Sequence, residues 1–444
     1  MIWIELVILL ACILIGARIG GIALGTVAGI GLFIFVFIFG LPPGGPPGPV
    51  IGMIIAVITA LATMQAAGGL DYLVTLAERI LRKHPQYITF MAPVVTYVLI
   101  FASGTTHVIY ALLPVIAEVS RKANIRPERP LSISVIAGFQ GVLASPISAA
   151  TVAMLDLLTA RGISLARLLA ITIPSTFLGV LIGALSVAWR GKALSDDPEY
   201  QSRLASGAVK SPEALPELQG KKLLNARGST LLFLSGIIVV VLIGVFPNLR
   251  PTYEVVGNGA MDTDQVSMGM AIMIVMIAIA GLTMILFKAS PEATLKGTIM
   301  RSGMTAVISI IGVSWLGSSF FEGNRTFIVS GISDLIRLYP WAFAAGLFIL
   351  SAMLFSAAAT VVILMPVGLA LNLPITLLIA FYPAANGVFF LPTYGTLLAA
   401  VSFDQTGTTK IGRYLLNHSF MLPGLVTMVS AILIALLLGT VLPT

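Results

Sequence analysis

Charge is scarce in this sequence: Asp, Glu, Lys and Arg make up 10% of 444 residues, against 58% hydrophobic. That leaves too little polar surface to coat a water-soluble globule of this size, so a soluble fold is excluded and lipid must be the solvent. Cysteine is scarcer still. With Cys12 alone, neither an internal disulfide nor a cysteine metal cluster can form. The three histidines, His84, His107 and His418, are scattered and lack zinc-ligand spacing, so no metal and no cofactor are expected. No nucleophile or carboxylate pair stands in the middle of an apolar run, which argues against an embedded enzyme. The first residues, Met1 to Glu5, carry no basic segment, and no clear small-residue cleavage site follows, so the first helix is expected to be retained rather than removed as a signal peptide.

What the chain has instead is apolar length. Mean hydropathy is +1.03, and runs able to cross a hydrocarbon core of roughly 30 Å recur almost from end to end. They predict an all-α polytopic membrane protein with crossings at 2–15, 21–39, 50–67, 131–159, 165–189, 230–246, 266–287, 302–321, 375–401 and 415–442. Two further stretches, 87–118 and 341–371, are each interrupted by a small polar cluster and are expected to be helical hairpins that enter the membrane and return on the same side. Charge supports that reading. With the N-terminus outside and both hairpins re-entrant, only Arg161, Arg167, Arg250, Arg325 and Arg337 of the 25 basic residues fall outside. The net charge of +7 is therefore a topology signal, and no nucleic-acid partner is implied.

The chain also repeats itself. Leu81-Arg-Lys-His-Pro85 finds a counterpart in Ile336-Arg-Leu-Tyr-Pro340, Leu-Leu-Pro114 in Leu-Met-Pro366, Ser145-Pro146 in Leu391-Pro392, and Pro174 in Pro423. The offsets stay near about 250 residues, as one duplicated unit requires. The two units have opposite orientation, an inverted-repeat transporter architecture. Residues 1–189 are the first repeat, 190–228 a polar cytoplasmic linker, and 229–444 the second repeat. Asp71, Glu78, Arg79 and Arg82 mark an interfacial amphipathic helix. Gly21, Gly25 and Gly29 share one helix face, suited to close packing within the chain or across a homodimer.

Four interruptions carry the candidate site: Ser103, Gly104, Thr105 and Thr106; Ser145, Pro146 and Ser148; Ser356 and Thr360; Pro392, Thr393, Tyr394 and Thr396. Backbone groups freed there must find protein, water or ligand partners, because lipid offers none. Each break also leaves a half-helix N-terminus equivalent to roughly half a positive charge, a natural seat for a carboxylate. No Lys or Arg falls near the middle of a span, so an anion is expected to be held by dipoles and hydroxyls. Back-bonding of each hydroxyl to a carbonyl one turn earlier is the competing reading.

The ordered strings Gly16-Ala-Arg-Ile-Gly-Gly-Ile-Ala-Leu-Gly25, Gly68-Gly-Leu-Asp71, Arg126-Pro-Glu-Arg-Pro130, Ala144-Ser-Pro-Ile-Ser-Ala149, Ile173-Pro-Ser-Thr176, Leu391-Pro-Thr-Tyr394 and Gly407-Thr-Thr-Lys-Ile-Gly-Arg413 with Asn417-His418 resemble the anaerobic C4-dicarboxylate transporter (Dcu) family, the A-type more than the B-type. The resemblance spans almost the whole chain except residues 192–228. It implies exchange, uptake and efflux of fumarate, succinate, malate and aspartate across a bacterial inner membrane. It also implies an elevator mechanism, in which hairpins and broken helices move against a fixed scaffold. It assigns no binding residues. The alternatives are a sodium- or proton-coupled organic-anion symporter and a dicarboxylate-binding membrane co-sensor.

Overall fold

Apolar runs in lipid are helical because the backbone has no other partner, and they stop where proline, glycine or a capping hydroxyl interrupts the ladder. The computed structural model describes residues 2–19, 21–46, 48–207, 209, 220–257, 260–327, 339–354, 356–392, 394–412 and 416–441. Helices α1 (Ile2–Ile19) and α2 (Ala23–Phe33, prolonged by a π-turn over Ile34–Ile38) form the first pair, and α3 (Gly48–Ala66) follows. Left-handed Gly68 then turns the chain by 74° into α4 (Gly69–Lys83), which buries Leu73, Val74, Ala77 and Leu81 along one side. That is the expected amphipathic surface helix.

Next come hairpin 1, made of α5 (Ile88–Ser103) and α6 (Ile109–Lys122), a broken helix made of α7 (Glu128–Ala144) and α8 (Ala149–Thr159), and α9 (Leu165–Ala188). A middle section holds α10 (Pro198–Ala205), α11 (Gly220–Val245), the antiparallel hairpin β1 (Thr252–Gly257) and β2 (Ala260–Gln265), α12 (Met268–Phe287), α13 (Pro291–Lys296) and α14 (Thr298–Gly323). The first sequence of elements then recurs. Hairpin 2 is α15 (Trp341–Leu354) and α16 (Ala357–Ala370). The second broken helix is α17 (Ile375–Phe381), prolonged by a 3-10 segment Tyr382–Phe389, with α18 (Gly395–Phe403), and α19 (Met421–Val441) ends the set.

The two sets point in opposite directions. Hairpin 1 opens where α7 begins, with Arg82 paired to Glu118 at 2.7 Å and Asn124 bonded to Ser195. Hairpin 2 opens at the far end of the first broken helix, where Arg161, Glu322, Arg325, Pro366 and Ala370 line one crevice. By the charge argument the first end is cytoplasmic. Seven helices among the described residues are long and apolar enough to cross a membrane, one of them being the hairpin arm Pro85–Ser103. In the most apolar 18-residue stretch of the broken span Glu128–Thr159, 78% of residues are buried, which places it centrally, whereas in Met268–Phe287 and Met421–Val441 the share is 33% and most residues face outward.

Glycines set the closest helix contacts. A Cβ on Gly25 would lie 2.1 Å from the Ile308 carbonyl oxygen, and one on Gly312 would lie 2.0 Å from that of Gly25, so α2 and α14 touch backbone to backbone. Of the glycine face expected from sequence, Gly25 therefore packs within the chain, while Gly29 faces open space. Gly183 of α9 similarly meets the Thr427 side chain of α19.

The structure corrects several boundaries. α11 starts at Gly220, inside the expected linker, because Lys221, Lys222 and Arg227 extend the helix into the cytoplasm. The last span starts at Met421 rather than 415, and the β-hairpin at 252–265 was not anticipated. Linker residues 210–219, the repeat residues 336–338, and 413–415 lie outside the described residues.

A polar clasp, buried at Arg126, Glu128 and Asp197, half-exposed at Glu199 and exposed at Lys410, fastens the linker to the cytoplasmic end of the broken helices. Arg126 pairs with Asp197 and, at 3.1 Å, with Glu128; Glu128 accepts a hydrogen bond from Ser419 at 2.8 Å; Lys410 reaches Glu199 at 3.3 Å. Arg129 donates to the carbonyls of Ala188, Arg190 and Gly191, capping the C-terminal end of α9. Burial pushes the Asp197 carboxyl up, but the Tyr200 and Glu199 amides and Arg126 outweigh it and hold the group below its ordinary 3.8. A depressed folded value means that the stabilisation is complete above 3.8 and is lost as the pH falls through the folded value. Asp197→Asn should therefore lower the melting temperature at neutral pH, and the gap to the parent should narrow once the pH drops below about 3.8. Melting curves of both proteins across that range check the sign.

Candidate functional site

Each break is built by short-range chemistry. Hairpin 1 ends α5 at left-handed Gly104 (φ +68), whose N–H returns to Ile100 O at 2.8 Å. Thr106–Val108 then makes a 3-10 turn before α6. In hairpin 2, Ser356 caps α16 by accepting the Ala359 N–H at 3.1 Å. In the first broken helix Ser148 caps α8 by accepting the Thr151 N–H at 3.1 Å, and Thr151 Oγ1 donates to Leu143 O at 3.0 Å, satisfying a carbonyl that the break leaves free. In the second, Asn386 leaves helical geometry (φ −120, ψ 39) and its amide donates to Phe139 O, while Tyr394 begins α18.

All four breaks meet. One cavity of about 520 Å³ is lined by Gly104, Thr105 and Thr106 from hairpin 1, Ala149 and Ala150 from the start of α8, Ser356, Ala357 and Ala358 from the start of α16, and Asn386, Val388 and Tyr394 from the second broken helix. Cross-links hold the breaks together. The Tyr394 hydroxyl bonds the Thr106 side chain, its ring stands edge-on to Phe139 with centroids 5.5 Å apart, and Thr151 Oγ1 lies 3.2 Å from the Tyr382 hydroxyl. The rest of the wall includes Phe139 and Val142 of α7, Leu354 of α15, Gly21 and Leu24 at the start of α2, and Arg301, Thr305, Ser309 and Ile310 on α14. Since α14 begins beside Gln65, at the α3–α4 end of the molecule, Arg301 stands at the cytoplasmic mouth.

The sequence-derived residues divide into groups. Gly104, Thr105, Thr106, Ser356 and Tyr394 line the cavity. Ser103 lines a smaller, apolar space against α3 and α14, its hydroxyl turned back on Ile100 and Thr105 carbonyls. Ser148 is committed to its cap, and Thr360 donates back to Ser356 O at 2.8 Å, the bonding that competed with a ligand role. Ser145, Pro146, Pro392 and Thr396 are buried behind the lining, the hydroxyls of Ser145 and Thr396 having no hydrogen-bond partner among the described residues. Thr393 lies outside the described residues.

Arg301, Thr305, Ser309, Asn386 and Phe139 were missed. Arg301, Thr305 and Ser309 recur at four-residue spacing, a polar stripe on one face of an apolar helix, and that signal was available. The expectation left cations out of the site, and the structure adds Arg301 to the wall beside the helix starts and hydroxyls. The expected span began at Ser302 and left Arg301 in a loop, whereas α14 begins at Thr298 and carries it into the wall.

The cavity lining holds one arginine and no carboxylate. Four helix starts, with Arg301, Thr105, Thr106, Ser356, Asn386 and Tyr394, surround the space and can donate hydrogen bonds to a small anion, whereas the hydroxyls of Thr305 and Ser309 return to the Arg301 and Thr305 carbonyls at 2.9 Å. Among the described residues no three His, Cys, Asp or Glu side chains converge as metal ligands. Towards the outside, Asp156 makes no ion pair with Arg161, which instead shares its crevice with Glu322 and Arg325.

Residues 1–443 match a family described as anaerobic C4-dicarboxylate membrane transporter. The C4-dicarboxylate transporter DcuA of Escherichia coli (strain K12) is 41% identical over 445 residues, covering 99% of both chains. The anaerobic C4-dicarboxylate transporter DcuB of Escherichia coli O6:H1 is 40% identical over 436 residues, covering 95% of both. Among solved structures, the Alcanivorax borkumensis YdaH transporter superposes with a TM-score of 0.54 at 15% identity, over 88% of this chain and 84% of that one, a likeness of fold alone.

Proposed function

This chain belongs to the anaerobic C4-dicarboxylate membrane transporter family, and from that membership we propose that it exchanges C4-dicarboxylates such as fumarate, succinate, malate and aspartate across a bacterial inner membrane. It is a multi-pass membrane protein and a transporter rather than an enzyme. One observation carries the substrate reading: two hairpins and two broken helices are interrupted around a cavity whose lining holds an arginine and no acid. In this reading the helix starts at Ala149, Ala357 and Gly395, with Thr105, Thr106, Ser356 and Tyr394, take the two carboxylates, and Asn386 shapes the pocket between them. Donors of this kind suit a carrier, which must release what it binds, because each hydrogen bond to a carboxylate contributes only about 1.5–3 kcal/mol.

The hairpins and broken helices form the moving half in this reading, and α1–α3 with α11–α14 the fixed scaffold, an elevator arrangement. A homodimer, if formed, would have the open face around Gly29 available to it.

Purified protein in liposomes loaded with labelled succinate provides the test. External fumarate or aspartate should release the label without an imposed ion gradient. Release that demands a sodium or proton gradient would favour the symporter, and binding without any release would favour the co-sensor. Thr105→Ala and Ser356→Ala should each raise the half-saturating succinate concentration by roughly 3- to 15-fold.

A further inference from the structure

The cavity wall has two origins. Thr105, Thr106, Ser356, Asn386 and Tyr394 belong to the duplicated hairpins and broken helices, whereas Arg301, Thr305 and Ser309 sit on α14. α14 is fixed to its neighbours by contacts that leave little freedom to slide. It meets α2 backbone to backbone at Gly25 and Gly312, Gln65 at the end of α3 bonds Thr298 at 2.7 Å and the Ile299 N–H at 3.2 Å, and Ser319 accepts the Gly44 N–H at 2.9 Å. Arg301 is exposed into the cavity, and no carboxylate lies within ion-pair distance of it among the described residues. At the opposite end of the same helix, Arg325 has Glu322 at 4.0 Å. The cation at the cytoplasmic mouth is uncompensated while its outer counterpart is partnered.

Resting on the elevator reading above, we infer that Arg301 is a one-sided anchor for the dicarboxylate. Its guanidinium meets a substrate carboxylate only while the site faces the cytoplasm, and it stays behind with the scaffold when the site moves outward. A contact made in one facing alone stabilises the loaded protein in that facing alone. Its removal weakens binding from the cytoplasmic side and, by linkage, biases the loaded carrier outward by the same factor. Lysine keeps the charge but loses the two-pronged geometry that a carboxylate fits.

Membrane vesicles of both orientations, with labelled succinate outside and saturating unlabelled succinate inside, give the half-saturating concentration at each face. Arg301→Gln should raise it roughly ten- to a hundredfold at the cytoplasmic face, with a much smaller change at the outer face; Arg301→Lys should give a lesser rise on the same face. Equal rises at both faces, or none at the cytoplasmic face, would overturn the inference. Should the Gln protein fail to reach the membrane, the Lys protein is judged by the same criterion. Succinate counterflow absent from the unaltered chain would remove the transport reading itself, and the anchor with it, whereas a transporting chain with no one-sided effect removes the anchor alone.

Discussion

Gly312→Ala protein should melt well below the parent, and Gly312→Leu should yield little monodisperse protein in detergent. An alanine Cβ at 312 would stand 2.0 Å from the Gly25 carbonyl oxygen, 2.6 Å from its carbon and 2.7 Å from its Cα. Those are main-chain atoms of a neighbouring helix, so no rotamer change relieves the clash and α2 must separate from α14 along its length. Lost contact between helices in lipid is not recovered by a hydrophobic term, since the acyl chains are as apolar as the side chains. A cost of about 3 kcal/mol or more is expected for alanine. The displacement also moves the face that carries Arg301, Thr305 and Ser309, so transport should fall in whatever protein remains folded. Gly29→Ala is the control. Open space surrounds that position, and alanine there should change stability by no more than about 1 kcal/mol, in the favourable direction. Equal melting of the 29 and 312 variants would show that the α2–α14 contact is not the determinant.

Asp404→Ala should have an effect of similar size through different chemistry. The Asp404 carboxylate, 3% exposed, accepts from the Thr406 N–H at 2.9 Å, the Thr406 hydroxyl, the Thr408 hydroxyl at 2.9 Å and the Thr409 N–H at 2.6 Å. It folds the loop after α18 into a knot, from which Thr408 bonds the Glu128 N–H and His418 reaches the Phe390 carbonyl at the second break. Alanine strands four donors in a buried place, and a loss of about 3–5 kcal/mol is expected. Asparagine retains one acceptor oxygen and presents an N–H₂ where two acceptors are needed, so it should rescue only part, leaving a loss of about 2 kcal/mol. Thermal melting with amide exchange over residues 404–412 would separate these outcomes. Exchange that stays slow in the alanine protein would contradict the assigned role.

The motif strings behind the family resemblance divide between cavity wall, as at Gly21, Ala149 and Tyr394, and scaffolding. Arg126, Glu128 and Arg129 clamp the linker and cap α9, and the threonines after Gly407 tie down Asp404. The breaks at Gly104, Ser145–Ser148, Ser356 and Tyr394 were legible because glycine, proline and hydroxyl residues inside an apolar run have few other physical meanings. Which of those hydroxyls face the cavity was not legible. Ser148 and Ser356 both cap helices, yet only Ser356 lines the cavity, because the lining depends on how four helix ends cross in space rather than on local sequence. Arg301 was hidden by a boundary error of one turn, hydropathy being blind to a charged residue that enters a helix from its watery end. The β-hairpin escaped for a related reason: Thr252 to Gln265 is a short polar segment between two long apolar ones, where a two-stranded element leaves little periodic trace.

In the proposed elevator the cytoplasmic clasp would set a limit on travel. Beside the buried Arg126, Glu128 and Asp197 it carries the half-exposed Glu199 and Arg203 and the exposed Lys410 at one end of the broken helices, and exposed ions lose their hydration only at a cost of several kcal/mol apiece. In that elevator an outward stroke would lift this cluster towards the lipid headgroups and should halt there, so the depth of the inner membrane surface, rather than any steric stop inside the protein, would fix how far the cargo rises.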